Sequence, residues 1–415
     1  MSEIIVLGAG MVGVSTALAL QERGHAVTLL DKSDPGLETS YGNAGLIQRE
    51  AAEPYHIPHN LITLFLYGIG RTNDIVYHWK DMPNIMPSLW TYFLYSGETQ
   101  HRRISKIFEQ MTIKCTDDHQ PLIEAAGAER LIERKGFFKL CRNKRSFDEQ
   151  SRDAERIAAM YDVPLRMIDG KEMRQLEPAL KVDVSGAVHW TDTWACSDPG
   201  ALTSSYADLF VKRGGTFARG DAMTLKQTAT GWQVQGKDGP ISASEVVVAL
   251  GPWSPDLLTP FGYKVKMVYK RGYHAHFKMD KPLTRPIQDY ANGCVFSPMD
   301  KGMRIATGAE LVNRKDPANP RQLMHGLKSA RELMDVGAMV EKEPWFGNRP
   351  CMPDMLPVVG PAPKHKGLWF HFGHGHQGFT QGPTTAKLLI DVMEGKTTPL
   401  SDALSAENRS VISAR

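Results

Sequence analysis

The sequence is short of several things, and each shortage narrows what the chain can be. Five cysteines among 415 residues, Cys115, Cys141, Cys196, Cys294 and Cys351, are odd in number, far apart and never in a C-x-x-C pair. That excludes a disulfide framework and fits reduced thiols in a cytoplasmic protein. An excess of one charge is also missing: 49 basic against 46 acidic residues leave a formal net charge of +3, too little to suggest a nucleic-acid partner. The longest strongly apolar run, Leu61 to Gly70, is half the roughly 20 residues that a membrane-spanning helix needs. The first apolar strand begins at Ile4, so cleavage of a leader would remove it, and a secretory signal is not expected. No repeat or low-complexity tract is visible, and the length suits two or three domain-sized units.

What is present is concentrated first in Ile4 to Asp31. The run Ile4-Ile5-Val6-Leu7 ends directly in Gly8-Ala9-Gly10-Met11-Val12-Gly13, continues in a helix-compatible segment to Arg23, and returns as Ala26 to Leu30 before stopping on Asp31. This is strand, glycine turn, helix, strand and acid in the register of a dinucleotide-binding unit. Gly8 permits the tight turn, Gly10 lets the backbone approach a pyrophosphate, and Gly13 lets helix and strand pack. The helix N-terminus offers N–H groups and a positive dipole end to phosphate. A carboxylate at position 31 accepts a ribose hydroxyl and repels a 2′-phosphate, so FAD or NAD fits and NADP does not. The motif does not choose between the first two.

Beyond Asp31, Lys32 to Gly45 is a loop of turn formers whose place at the carboxyl ends of parallel strands is a ligand-binding position. Residues 57–165 read as mostly helical, with Ile104 to Glu124 and Ser151 to Met160 clearest and a strand over 136–140. Aromatic residues are dense from Leu61 through Tyr95, among them Phe65, Tyr67, Trp79, Trp90, Tyr92, Phe93 and Tyr95. A helical core explains them more simply than a membrane-surface patch, which stays as the second expectation. Residues 222–247 alternate as a small β-meander, and Glu245 to Leu250 is the unbroken apolar run of a strand buried on both faces. Arg321 to Val340 has the pattern of a helix. Near the end, Leu368 to Phe372 is a strand, Gly373 to Gly378 a glycine-rich turn, and Pro383 to Glu394 a helix with the proline near its first turn.

Taken in order, the pieces GAGMVG with Asp31, ETSYGNAG (38–45), LEPAL (176–180), VVVALGPWS (246–254), KRGYH (270–274), RIATGAEL (304–311), RPCMPDMLPVVGP (349–361) and GHGHQGFTQGPTTAKLL (373–389) resemble the FAD-dependent D-amino acid oxidase and dehydrogenase superfamily, most closely the bacterial D-amino acid dehydrogenases. The resemblance covers essentially the whole chain. It implies an α/β fold: a Rossmann-like FAD-binding domain formed by residues 1–56, 166–262 and 345–415, and a discontinuous α+β substrate domain formed by 57–165 and 263–344. It also selects FAD over NAD.

In such flavoenzymes Gly8, Gly10 and Gly13 hold the pyrophosphate and Asp31 with Lys32 the adenosine. Ser40, Asn43, Ala44, Gly45 and Gly251 approach the phosphates and flavin, and the turn Gly375, His376, Gln377, Gly378 faces the pyrimidine end of the flavin. Arg349 matches the arginine that pairs with a substrate carboxylate, because a guanidinium fork fixes both oxygens. Tyr273 and His274 follow the substrate-side segment. The implied reaction is oxidative deamination of a D-amino acid or a cyclic or N-alkylated imino acid, for example D-proline or its hydroxylated forms. Its electrons pass to a quinone or O₂. The FAD-carrying subunit of a heteromeric dehydrogenase is the alternative.

Two departures limit the transfer. His376 and Gln377 stand where close relatives usually carry smaller or apolar residues. Cys351 is out of register with the cysteine that attaches flavin in some relatives, so FAD is expected to be bound non-covalently. The spacing His371, His374, His376 invites a metal reading, but three rings on a strand and a glycine turn point in different directions, and no metal is expected. The expected location is the cytoplasm, with peripheral contact at the inner face of the membrane as a further expectation.

Overall fold

The computed structural model describes residues 2–60, 75–77 and 82–414. Ile4, Ile5, Val6 and Leu7 are all fully buried, and the strand they form, Glu3–Leu7, lies between two parallel neighbours, Ala26–Asp31 and Glu245–Val248. A strand covered on both faces has no polar side to present, hence its uninterrupted apolar sequence and that of Glu245–Val248. The sheet runs Gly239–Ala243, Gly231–Gly236, Thr216–Thr228, Ala26–Asp31, Glu3–Leu7, Glu245–Val248, Leu368–Phe372, Val358–Pro361. Its five central strands are parallel, while the meander and the last strand close its edges antiparallel. The meander and the buried strand are where the sequence places them.

A second, mixed sheet is built around Val268–Phe277, which pairs with Gly302–Ala306, Ala309–Leu311 and Trp345–Cys351. Leu165–Asp169, Gly186–Trp190 and Trp345–Cys351 belong to this sheet. Two of the segments assigned from the sequence to the dinucleotide half, 166–262 and 345–415, therefore give strands to the other half.

Several helix limits differ from the sequence reading. The helical stretch over 104–124 is two helices, Glu98–Thr112 and Cys115–Ala125, and the helix at 321 stops at Leu333. The helix expected from Pro383 starts at Gly378, so Pro383 sits inside it. A proline has no N–H for the carbonyl four residues back, here that of Phe379. His119 fills the vacancy: its Nε2–H donates to Phe379 O at 2.9 Å while Nδ1 lies 2.9 Å from the Tyr206 hydroxyl. Burial depresses the His119 pKa to about 4, so the ring is neutral and this tautomer serves both partners. Of the aromatic-rich stretch, Trp90, Tyr92, Phe93 and Tyr95 lie on the helix Met82–Tyr95, whereas Phe65, Tyr67 and Trp79 lie outside the described residues. Among the described residues no helix is long and apolar enough to cross a membrane.

Candidate active site

A cavity of about 730 Å³ runs from the carboxyl end of Ala26–Asp31, past the glycine turn, to the face of the second sheet. The turn is shaped by its glycines. Gly8 has φ +105°, and a Cβ there would meet Ala249 O at 2.5 Å. A Cβ on Gly13 would meet Gly8 O at 1.8 Å, so Gly13 is needed where the helix Met11–Glu22 crosses the strand and does not itself line the cavity. Gly10 has only Ser40 Oγ nearby, at 3.2 Å, and the same oxygen accepts the Met11 N–H at 2.9 Å. The loop after Asp31 is thereby tied to the helix N-terminus.

Asp31 accepts N–H groups from Ala9 at 2.7 Å and Ser33 at 3.0 Å. Burial raises its pKa, and these two hydrogen bonds oppose the rise. A carboxylate has about four acceptor positions, so the side chain that holds the turn can still receive a ribose hydroxyl. Lys32 lies over the Trp253 ring at 4.8 Å; both line this end of the cavity with Gly251. Ser40 and Asn43 line it as well. Ala44 and Gly45 do not: Ala44 O accepts from Ser297 and Gly45 O from Cys196 N–H, turning that end of the loop into a neighbouring small sheet.

The helix Gly378–Met393 brings its N-terminus to the same cavity through Gly378 and Phe379. Gly375 and His376 are in the wall, but the Gly375 N–H is already given to Pro350 O and the Gln377 N–H to His374 O. Gln377 does not line the cavity. Its buried side chain points the other way, toward Gln48 at 3.5 Å, because residue 377 caps the helix and its carbonyl takes the Gln381 N–H.

At the far end, Arg349 donates Nη1 to Gly308 O at 2.7 Å and Nη2 to Thr307 O at 3.0 Å. Among the described residues it has no carboxylate partner, and desolvation lowers its pKa. Gly272 lies beneath it: a Cβ there would come within 2.6 Å of the guanidinium. Strand alternation explains the rest. The register sets Lys270 opposite Arg349, Gly272 opposite Gly347 and His274 opposite Trp345. The even-numbered residues of Val268–Phe277 and the odd-numbered residues paired with them thus share one face of the sheet, on which Gly272, Trp345, Gly347 and Arg349 line the cavity.

Tyr273 borders the cavity but gives its hydroxyl to Glu310 at 2.5 Å and accepts the Asn319 N–H at 2.8 Å. That oxygen is engaged in the far side of the sheet. His274 does not line the cavity. It is buried against Trp345, stacked at 4.8 Å, with Tyr41 at 5.2 Å, and burial depresses its pKa to about 2. Trp345 stands between it and the cavity, and neither of its ring nitrogens has a hydrogen-bond partner among the described residues.

Sequence reasoning passed over Lys270, which donates to the Tyr92 hydroxyl at 2.7 Å, and Arg304, whose guanidinium holds the carbonyls of Tyr41 and Asn43 at 2.9 and 2.5 Å. The alternation of the strand is visible in sequence; which face meets the cavity is not. His371 and His374 both meet Thr385 Oγ1 at 2.9 Å, and His371 also meets Thr16. Their rings serve the join between two helices and the sheet, and no cluster of metal-ligating residues occurs among the described residues.

Two helix N-termini, a glycine turn and an acid along one cavity, with a partly buried cation at its far end, suit a protein that carries a dinucleotide. The family model described as FAD dependent oxidoreductase matches residues 3–392, and the chain belongs to that family; its cofactor is FAD. It is 30% identical over 413 residues to the D-amino-acid oxidase of Bradyrhizobium diazoefficiens, covering 95% of each chain. It is 28% identical over 417 residues to the D-amino acid dehydrogenase of Paramagnetospirillum magneticum, covering 96% of each. Among solved structures, glycine oxidase from Geobacillus kaustophilus superposes with a TM-score of 0.71 at 21% identity, covering 98% of each chain. The protein is thus an FAD-dependent enzyme of the amino acid oxidase and dehydrogenase type.

Proposed function

We propose that the protein oxidises a D-amino acid, or a cyclic or N-alkylated imino acid, held by Arg349 at the end of the cavity. The observation that carries this reading is the guanidinium itself: it opens on the cavity, is partly buried, and meets two carbonyls but no carboxylate among the described residues. A buried cation without a counter-ion is costly unless a ligand supplies one. An α-carboxylate does so and is oriented by the two-pronged fork.

The cradle of Gly8, Gly10, Asp31, Lys32, Ser40, Asn43 and Gly251 would hold the adenosine and pyrophosphate, and Gly375, His376 and Gly378 the ring end. When bound there, FAD would supply the two-electron acceptor, and Arg349 would orient the substrate so that its Cα–N bond is the one oxidised, to an imine that water hydrolyses. Burial first, and Arg349 and Lys270 next, hold His376 well below the usual histidine range. A neutral imidazole at the cavity wall can accept a hydrogen bond from the substrate amine without adding charge. No nucleophile is needed; positioning and the local field carry the catalysis.

We assign non-covalent attachment to the cofactor. Cys351 supports this: it lies behind the turn, its sulfur 3.4 Å from the Cβ position of Gly375, and its thiol pKa is raised by burial, so it is no nucleophile. For the electron acceptor we favour a quinone reached at the inner face of the membrane. On the helix Met82–Tyr95, Met86, Trp90 and Leu94 are 45%, 58% and 55% exposed and spaced by four, one apolar stripe, and the next helix, Glu98–Thr112, carries the exposed Arg102, Arg103 and Lys106. Such a stripe with flanking cations suits a lipid surface.

The test is anaerobic flavin bleaching with a panel of D-, L-, N-methyl and cyclic amino acids and the corresponding amines. Reduction by acids and not by amines is expected; equal reduction by both would end the carboxylate reading.

A further inference from the structure

Lys270 is 7% exposed, and its ammonium meets the Tyr92 hydroxyl at 2.7 Å and the Tyr92 ring at 4.3 Å. Only one of its three N–H bonds is thereby used, and no carboxylate pairs with it among the described residues. It stands directly opposite Arg349 on paired antiparallel strands, so the two cations share a face with Cβ atoms about 5 Å apart. Lys270 and Tyr92 line a small annex of about 30 Å³ whose wall shares His374, Gly375 and His376 with the main cavity. The acids of the main cavity, Asp31, Glu38, Asp221 and Asp256, all lie toward the adenosine end with Lys32 and Trp253. The acid of the annex, Glu53, is already paired with Arg156. One substrate carboxylate on Arg349 leaves the second cation uncompensated.

We propose that Lys270, with the Tyr92 hydroxyl, forms a subsite for a second acidic group, so that the preferred substrates are amino or imino acids carrying two carboxylates. This rests on the carboxylate role of Arg349 and adds to it. A dicarboxylate places one anion on the guanidinium and the other on the ammonium, and a carboxamide of the same shape cannot neutralise the second site. Tyr92 gives its own proton to Tyr55 O, which leaves its oxygen lone pairs to hold the ammonium in place. The geometry therefore favours a second group on a short chain, either on the side chain or on the amine.

The experiment compares isosteric pairs on the holoenzyme: D-aspartate with D-asparagine, D-glutamate with D-glutamine, and iminodiacetate with its monoamide. The wild type should show kcat/KM at least ten-fold higher for the acid of one or more pairs. Lys270→Met should bring that ratio within about two-fold of unity, and Tyr92→Phe should lower it partway. Binding of succinate and of butyrate, read from perturbation of the flavin absorbance, gives a second readout: dianion preference in the wild type and none in Lys270→Met. If Lys270→Met does not fold, the wild-type ratios decide alone. Amides and neutral amino acids used as well as or better than the acids, or an acid preference that survives in Lys270→Met, overturns the subsite while leaving the amino-acid reading intact. Failure of every amino acid to bleach the flavin overturns the wider reading instead.

Discussion

The side chains at the two ends of the cavity answer to different tests. Arg349→Ala removes a charge-assisted two-pronged pair worth roughly 2 to 5 kcal/mol, so kcat/KM should fall about 30-fold or more. Arg349→Lys should recover part of this, because an ammonium is a point charge and cannot orient both oxygens. The check is flavin reduction by an amino acid and by its decarboxylated amine: the wild type should prefer the acid, and the alanine variant should not. If Arg349 served stability alone, the variant would melt earlier with unchanged preference once folded. At the other end, Asp31→Ala should lower the FAD content of the purified protein, by loss of the ribose acceptor and by release of the Ala9 N–H that shapes the turn. Normal flavin content in that variant would remove Asp31 from the cofactor site.

At the scale of elements, the crossing of the helix Met11–Glu22 over the first strand separates two neighbouring glycines. Gly13→Ala drives a methyl into the Gly8 carbonyl, where backbone cannot give way; a loss of about 1 to 3 kcal/mol in unfolding free energy is expected. Gly10→Ala meets only a serine hydroxyl at 3.2 Å. It should therefore keep most of its stability in denaturant titration while losing affinity for FAD, since the methyl occupies the space that a pyrophosphate needs. The helix Gly378–Met393 offers a second case. His119→Phe leaves the Phe379 carbonyl without the donor that Pro383 also fails to supply, at a cost of about 1 to 3 kcal/mol, and a shift in the denaturant midpoint would measure it.

For the molecule as a whole, four buried histidines and His376 in the cavity wall set the response to acid. Burial holds His119 at about 4, His374 at about 3 and His274 at about 2, and keeps His371 and His376 well below the ordinary value of 6.5. The unfolded chain therefore binds protons that the folded one refuses once the pH drops below about 6.5, and stability must fall with pH from there down through the folded pKa values. The unfolding midpoint at pH 5 should lie clearly below that at pH 7.5; equal midpoints would mean that these rings are not held neutral in the folded protein. The whole protein should also be yellow, release its flavin to the supernatant on acid precipitation, and turn over faster with a quinone or dye than with O₂. Colour retained in the pellet, or equal rates with oxygen alone, would refute the attachment and the acceptor proposals respectively.

Much of this molecule is legible in its amino-acid sequence. The order Ile4 to Asp31 dictates a strand, a turn and a helix because each step depends on neighbours a few residues away: β-branched runs extend, glycine turns, and an apolar helix face must pack. The apolar stretch Glu245 to Leu250 reveals a doubly covered strand for the same local reason, and the family pieces carry the fold and cofactor. Which residues meet across distance is another matter. Tyr273 and His274 stand beside Gly272 in sequence, yet one gives its hydroxyl to Glu310 and the other packs behind Trp345, because the phase of a strand relative to a cavity is set by its partners. Lys270 and Arg349 lie far apart along the chain and become neighbours only through the register of two antiparallel strands. Pro383 reads as a helix start until His119 is seen to supply the missing hydrogen bond. Local propensity belongs to the sequence. The pairing of charges, the facing of side chains and the satisfaction of stranded backbone groups are long-range contacts, and only the tertiary structure decides them.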